Sequence, residues 1–332
     1  MKHRVLVVGV GSIGERHVRC FLATGRAEPA IVEMNETLAR DVSRRYGAPA
    51  FSDFDSAIAA KPAAAVIATP APLHVPQAIA LVEAGIPVLI EKPLSVSLEN
   101  VGRLRELAER RRVAVAIGYV YRVFPPLVAM KEALKSGRFG APRQLVAVSG
   151  QHFPTYRPAY REIYYADRAR GGGAVQDALT HLVNLGEWLA GPVERVVADA
   201  AHLALPCVEV EDTVHVLARQ GPLMGSYSLN QHQAPNENTV TVICEAGTAR
   251  CELHANRWLW MDRPGDAWQE KAFAPAERDA AFVAQAHAFL DAVEGKAPPP
   301  CSLNEGIQTL KVNLAILESV ERQTWVSICR MQ

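Results

Sequence analysis

Apolar and polar positions along the first third of the chain predict a repeated strand–helix unit. Short apolar runs recur at Val5–Val8, Ala30–Val32, Ala64–Ala68, Val88–Ile90 and Val113–Ile117, with Ala50-Phe51 a shorter one. Runs of this length without a polar alternate suit strands covered on both faces. Between them lie segments of helical character: the stretch after the first run, then Thr37–Tyr46, Asp53–Ala60, His74–Ala84 and Leu98–Arg112. Ser97 is the expected cap of the last. Gly47-Ala48-Pro49, Lys61-Pro62 and Gly85 punctuate the pattern. Strand and helix in alternation predict a doubly wound parallel sheet of Rossmann type. The alternation stops at Gly118–Arg122, so a first domain of residues 1–122 and a second of 123–332 are expected.

The remainder is patterned differently. A helix over Pro126–Ser136 and a strand over Arg143–His152 precede an irregular stretch, Phe153–Arg170. Gly171-Gly172-Gly173 then opens a helix, Ala174–Leu189. Strands are expected at Val193–Ala201, Asp212–Arg219, Leu223–Asn230, Thr239–Glu245, Ala249–His254 and Arg257–Met261, with a hairpin over Thr241–Leu253. Strands in succession with few helices predict an α+β domain with an open, mostly antiparallel sheet. Helices Arg278–Val293 and Asn304–Arg322 and a short strand, Trp325–Ile328, complete the pattern.

Composition narrows the function by exclusion. The 332 residues suit two domains, and 49% hydrophobic content supports sizeable cores. Lys plus Arg and Asp plus Glu are both 35, so no charge excess points to nucleic acid or an acidic membrane as partner. Cys20, Cys207, Cys244, Cys251, Cys301 and Cys329 are scattered without a C-x-x-C pair, which predicts neither a disulfide framework nor a metal site. The first strand starts almost at Met1, so no signal peptide is expected, and no apolar run is long enough for a membrane span. A soluble cytoplasmic protein is the expectation.

Three groups of residues carry candidate chemistry. Gly9-Val10-Gly11-Ser12-Ile13-Gly14 follows the first strand with the spacing G-x-G-x-x-G. In a dinucleotide-binding turn the first glycine permits the bend, the second lets a pyrophosphate approach, and the third lets helix pack on strand. Glu33 ends the second strand at about the spacing of a carboxylate that binds an adenosine ribose, which favours NAD over NADP. Lys92 follows the strand Val88–Ile90, where ligands bind in open α/β sheets and an ammonium can stabilise developing negative charge; the plainer alternative is a surface lysine before a turn. Asp177 and His181 stand four apart after the triple glycine, on one helical face. Such a carboxylate–imidazole pair suits removal of a hydroxyl proton, or is an i,i+4 surface pair. The Tyr- and Arg-rich stretch 156–170, with Tyr156, Arg157 and Tyr165, reads either as a pocket wall or as a loop covering a sheet edge or a subunit contact.

Taken together, the chain resembles the Gfo/Idh/MocA family of NAD(P)-dependent oxidoreductases over almost its whole length. The resemblance is carried by the glycine turn and by Ala68-Thr69-Pro70 with His74. It continues through Glu91-Lys92-Pro93, Gly118-Tyr119 with Arg122, and Gly171-Gly172-Gly173 leading to Asp177 and His181. It implies His181 as general base, with Asp177 and Lys92 polarising and positioning the reacting hydroxyl. Hydride would pass between a carbinol carbon and nicotinamide C4. It further implies that Glu91, Thr69, Pro70, His74 and Arg122 meet the cofactor, that Tyr119 lies on the substrate side, and that Lys92-Pro93 is cis.

The implied substrate is a sugar, cyclitol or sugar-acid derivative, and the implied assembly a homodimer or homotetramer through the second sheet. Two departures stand out. Leu179 occupies the middle of Asp-x-Gly-x-His, and Asn184 replaces an acidic residue often found three after the histidine. The Tyr/Arg stretch somewhat resembles relatives acting on acidic or amino sugars. Two other members' activities remain alternatives: NAD-dependent glycoside hydrolysis, and cofactor-binding sensing without catalysis.

Overall fold

The computed structural model describes residues 2–274 and 277–328. It divides into two compact units, Met1–Val123 with Glu277–Ile307, and Phe124–Ala276 with Gln308–Gln332.

In the first unit six parallel strands form one sheet: β1 (His3–Val8), β2 (Ala27–Val32), β3 (Ala50–Phe51), β4 (Ala64–Ile67), β5 (Val88–Ile90) and β6 (Val115–Ile117). Their order is β3-β2-β1-β4-β5-β6. The strand order reverses between β1 and β4, and the segments leaving those two strands are where a ligand is expected. The apolar runs are buried as doubly covered strands must be: every residue of β4 and β5 is inaccessible.

Two expectations change here. The helix after β5 starts at Val101, not Leu98, because Ser95 and Ser97 turn the chain first: their hydroxyls accept from the Ser97 and Glu99 amides. The segment 277–307, placed in the second domain by chain order, belongs to the first unit. Ala286, Phe289 and Leu290 of its helix Ala280–Val293 join Val5, Val7, Phe21 and Ile31 in one core cluster. The chain first leaves the first unit after Val123 and returns to it at Glu277.

The second unit is built on nine strands: β7 (Pro142–Gly150), β8 (Arg195–Ala201), β9 (Thr213–Gln220), β10 (Leu223–Asn230), β11 (Glu237–Cys244), β12 (Thr248–Glu252), β13 (Arg257–Met261), β14 (Gln269–Ala272) and β15 (Val326–Ser327). Their order is β14-β13-β12-β11-β7-β10-β9-β8-β15. All neighbours are antiparallel except β7 and β10. Sequence reading missed β14, an edge strand exposed at every residue and so without an apolar pattern. One face of the sheet is covered. Along β9, Val214, Val216 and Ala218 are buried while His215 and Leu217 face out. The helix Thr180–Ala190 lies so close to β10 that a Cβ on Gly186 would stand 2.2 Å from the Tyr227 hydroxyl.

Cys20, Cys207, Cys244, Cys251 and Cys301 are free thiols, and Cys329 lies outside the described residues. Among the described residues no helix is long and apolar enough to cross a membrane.

Candidate active site

The glycine turn follows β1 directly. Gly9 has φ +80°, and a Cβ on Gly14 would fall 1.9 Å from the Gly9 carbonyl oxygen, so the helix Ser12–Ala23 meets the turn backbone to backbone. Around Gly11 nothing stands within 4 Å of where a Cβ would be. No side chain caps the first turn of that helix, and Gly11 and Ser12 are exposed, with Ile13 half-buried. Open backbone, exposed amides and the positive end of a helix fit a pyrophosphate.

Glu33, the candidate for the ribose end, is held by backbone amides. Its Oε2 accepts from the Val10 amide and its Oε1 from the Asn35 amide, each at 2.9 Å, so the carboxylate is oriented without any ligand. These residues fit NAD. A 2′-phosphate here would face that fixed charge. Glu33→Gln should therefore improve NADP⁺ binding relative to NAD⁺ by about tenfold, the worth of one unrelieved like-charge contact at short range; calorimetric titration of both nucleotides checks it, and an unchanged ratio removes Glu33 from the discrimination.

The turns after β4 and β5 are tied together. The His74 imidazole is buried, with Nε2 2.7 Å from the Thr69 carbonyl oxygen and Nδ1 2.9 Å from that of Pro93. Burial pushes the His74 pKa down, against the pull of those carbonyls and of Glu91. Each ring nitrogen thus faces a backbone carbonyl oxygen, and the neutral ring donates to one of the two. The Thr69 hydroxyl donates to Gln77 at 2.7 Å, and Pro70 leads into a short 3₁₀ turn, Ala71–Leu73.

Lys92-Pro93 is a cis peptide, and Lys92 is half-buried. Glu91 beside it is buried, accepting from His17 Nε2 at 2.6 Å and from the Lys92 amide at 3.1 Å. Burial alone would raise the Glu91 pKa. The His17 hydrogen bond and the nearby Lys92 charge outweigh it and hold the carboxyl below its usual range. Tyr119 is buried, and Arg122, 2% exposed at its side chain, is paired with Glu305 and donates to the Pro300 carbonyl at 3.2 Å. Those Arg122 bonds hold the returning segment of the first unit.

In the second unit a turn of π-helix, Val175–Leu179, separates the triple glycine from the α-helix Thr180–Ala190. It carries Asp177; His181 follows in the first α-turn. Bonding from i to i+5 winds the chain more slowly than α-helix, where four residues overshoot a full turn, so positions 177 and 181 come nearer to one line along the axis. Gly173, at φ +87°, lets the chain pass Glu211, whose Oε1 would stand 2.4 Å from a Cβ there.

Asp177 is 1% exposed at its side chain; Arg157 Nη1 donates to its Oδ2 at 2.6 Å and the Tyr164 hydroxyl donates to its Oδ1. Burial works against the Arg157 charge, but the Asp177 charge outweighs it and raises the guanidinium pKa. Tyr165 is fully buried with Phe153 and Tyr160 in an aromatic cluster, its hydroxyl donating to Gln231, and burial pushes its pKa up. Tyr156 is 52% exposed. The stretch 156–170 therefore supplies core aromatics as well as Asp177 partners.

Residues 3–119 match the oxidoreductase family with an NAD-binding Rossmann fold, and residues 127–250 match the C-terminal domain of the same group. The chain belongs to the Gfo/Idh/MocA oxidoreductase family. It is 27% identical to the rhizopine catabolism protein MocA of Rhizobium meliloti over 97% of this chain and 96% of that one. To the UDP-N-acetylglucosamine 3-dehydrogenase of Acidithiobacillus ferrooxidans it is 25% identical, covering 96% and 97%. Among solved structures, the WlbA dehydrogenase from Bordetella pertussis, in complex with NADH and UDP-GlcNAcA, matches with a TM-score of 0.83 and 27% identity over 100% of both chains.

As a Gfo/Idh/MocA protein it is an oxidoreductase with an NAD-binding domain. Within it, sequence reading missed Tyr164, His17 and Glu211. Tyr164 sits in an irregular stretch with no period to show which way a side chain points. His17 lies on the helix after the glycine turn, and its partner Glu91 is 74 residues away, so no local pattern marks it.

Proposed function

We propose that the protein is an NAD-dependent dehydrogenase acting on a CH–OH group of a sugar, cyclitol or sugar-acid derivative. One observation carries the reading: a buried, partnered carboxylate, Asp177, stands one turn ahead of His181, in a chain whose other unit has an open, uncapped glycine turn and an oriented Glu33. In the reaction, His181 takes the hydroxyl proton of the substrate and Asp177 orients it. Lys92 stabilises charge that develops on the reacting oxygen. NAD, held by the glycine turn Gly9–Gly14 and Glu33, would supply the acceptor for the hydride of the carbinol carbon. Thr69, Pro70 and the chain around Glu91 border the cofactor. His74 serves it through the backbone that it ties together. The sugar-dehydrogenase relatives support the substrate class. The protein is proposed to work in the cytoplasm as a homodimer or homotetramer through the outward face of the nine-stranded sheet, where Leu217 and Met224 are exposed.

The test is nicotinamide absorbance of the purified protein with NAD⁺ against neutral sugars, cyclitols and sugar acids. Reduction by one compound class is expected, with His181→Ala slower by about 10²–10⁴-fold and NAD⁺ affinity kept. An active His181→Ala variant sinks the base assignment. Glycoside cleavage without net NADH would instead select the hydrolase reading.

A further inference from the structure

The stretch Tyr156–Arg170 contains four arginines, and two of them meet deeply buried carboxylates of the same unit. Arg168 lies 2.7 Å from Glu211, 3% exposed, and Arg157 lies 2.6 Å from Asp177, 1% exposed. The two carboxylates are used differently. Glu211 also accepts from the Val175 amide at 3.2 Å, which anchors the start of the π turn. Asp177 instead has each oxygen held by a different side chain, Oδ2 by Arg157 and Oδ1 by Tyr164. Arg157 is itself fixed, with its guanidinium carbon 4.7 Å over the Phe153 ring. A carboxylate gripped at both oxygens has its plane set, and a carboxylate this deep needs such partners to remain charged. His181 follows Asp177 by four residues on the continuing helix.

We propose that Arg157 and Tyr164 are positioning residues for the reaction: they fix the plane and charge of Asp177, and through it the orientation of His181. The inference rests on the reading of His181 as the base. Arg157 then acts through Asp177 rather than by holding a substrate carboxylate or phosphate. Its charge is balanced inside the protein.

The test is a double-mutant cycle on kcat and KM, using the compound that the substrate panel selects. Tyr164→Phe, which keeps the ring, should lower kcat about fivefold, and Arg157→Gln about tenfold to a hundredfold, the usual range for a hydrogen bond to a charged group. KM for NAD⁺ should stay within about twofold in both, because the cofactor turn is untouched. Arg157→Lys should recover part of the loss by restoring the charge without the fork. Arg157→Gln added to Asp177→Asn should cost nothing further. Arg168→Gln, which loosens the same stretch at Glu211, should lower the melting temperature and leave kcat unchanged.

Unchanged kcat in both Tyr164→Phe and Arg157→Gln, or losses that multiply in the double variant, would overturn the proposal. Melting temperatures read the pairing without turnover: Arg157→Gln/Asp177→Asn should melt above Arg157→Gln, since no bare carboxylate is left buried. Missing rescue in an active enzyme overturns the positioning alone. A silent substrate panel with the rescue intact brings down the base assignment, and the positioning with it.

Discussion

Gly14→Ala is expected to destabilise the protein and to lower NAD⁺ affinity at least about tenfold. Glycine to alanine inside a helix ordinarily gains about 1 kcal/mol, because it limits the freedom of the unfolded chain. Here the new Cβ would stand 1.9 Å from the Gly9 carbonyl oxygen and 2.9 Å from its carbon. Both atoms are backbone, and Gly9 is already held by the hydrogen bond its amide donates to the Val32 carbonyl. The helix must move off the turn, at a cost of about 1–3 kcal/mol or more that exceeds the propensity gain. Moving it would also withdraw the helix amides from the proposed phosphate position.

Gly11→Ala gives the contrast. Its Cβ would enter open space, so stability should hold while the cofactor loses its close approach. Thermal melts and calorimetric NAD⁺ titration of both variants decide the matter. A Gly14→Ala protein that melts at or above the wild-type temperature with full affinity would refute the backbone contact.

His17→Leu is expected to cost about 3–5 kcal/mol at neutral pH, the usual result of leaving a buried charge without its partner. The imidazole lies among Phe21 and Phe282, so leucine suits the space. What is lost is the hydrogen bond to Glu91 Oε1, leaving that carboxylate the Lys92 amide and the Lys92 charge.

The pH dependence has a definite sign. In the wild type the Glu91 pKa is depressed, so its contribution is present above the ordinary carboxylate pKa and fades as pH falls through the folded-state value. In the variant burial acts with less opposition and raises that pKa. The carboxyl then becomes neutral at higher pH, and its penalty is relieved on acidification. The gap in melting temperature between variant and wild type should therefore narrow from pH 7 towards pH 5. A gap that stays constant would show that the pair is not coupled, and His17→Leu/Glu91→Leu should recover much of the loss.

The parts of the fold legible in the sequence were those set by local pattern. Unbroken apolar runs marked the buried parallel strands, and strands in succession with few helices marked the antiparallel sheet, because burial on one face or two leaves a period. The glycine turn was legible because it needs glycine at fixed positions. Elements without such a period were not. The fully exposed β14 has no apolar face, and the π turn over Val175–Leu179 has no composition that separates it from α-helix. Ser97 looked like a cap, but its hydroxyl serves a turn before the helix begins.

The site divides in the same way. The sequence by itself determined which groups are available: the glycine turn, Glu33, Lys92, and an Asp177–His181 spacing of one helical turn. Local chain geometry fixes those. Only the tertiary structure decided which partner each charge has: His17 on Glu91, Glu305 on Arg122, Arg157 and Tyr164 on Asp177, and backbone carbonyls at both nitrogens of His74. It also returned Ala280–Val293 to the first unit's core. Partners separated by tens or hundreds of residues leave no mark in a local pattern, since a buried charge requires only that some opposite group arrive, and the fold decides which one does.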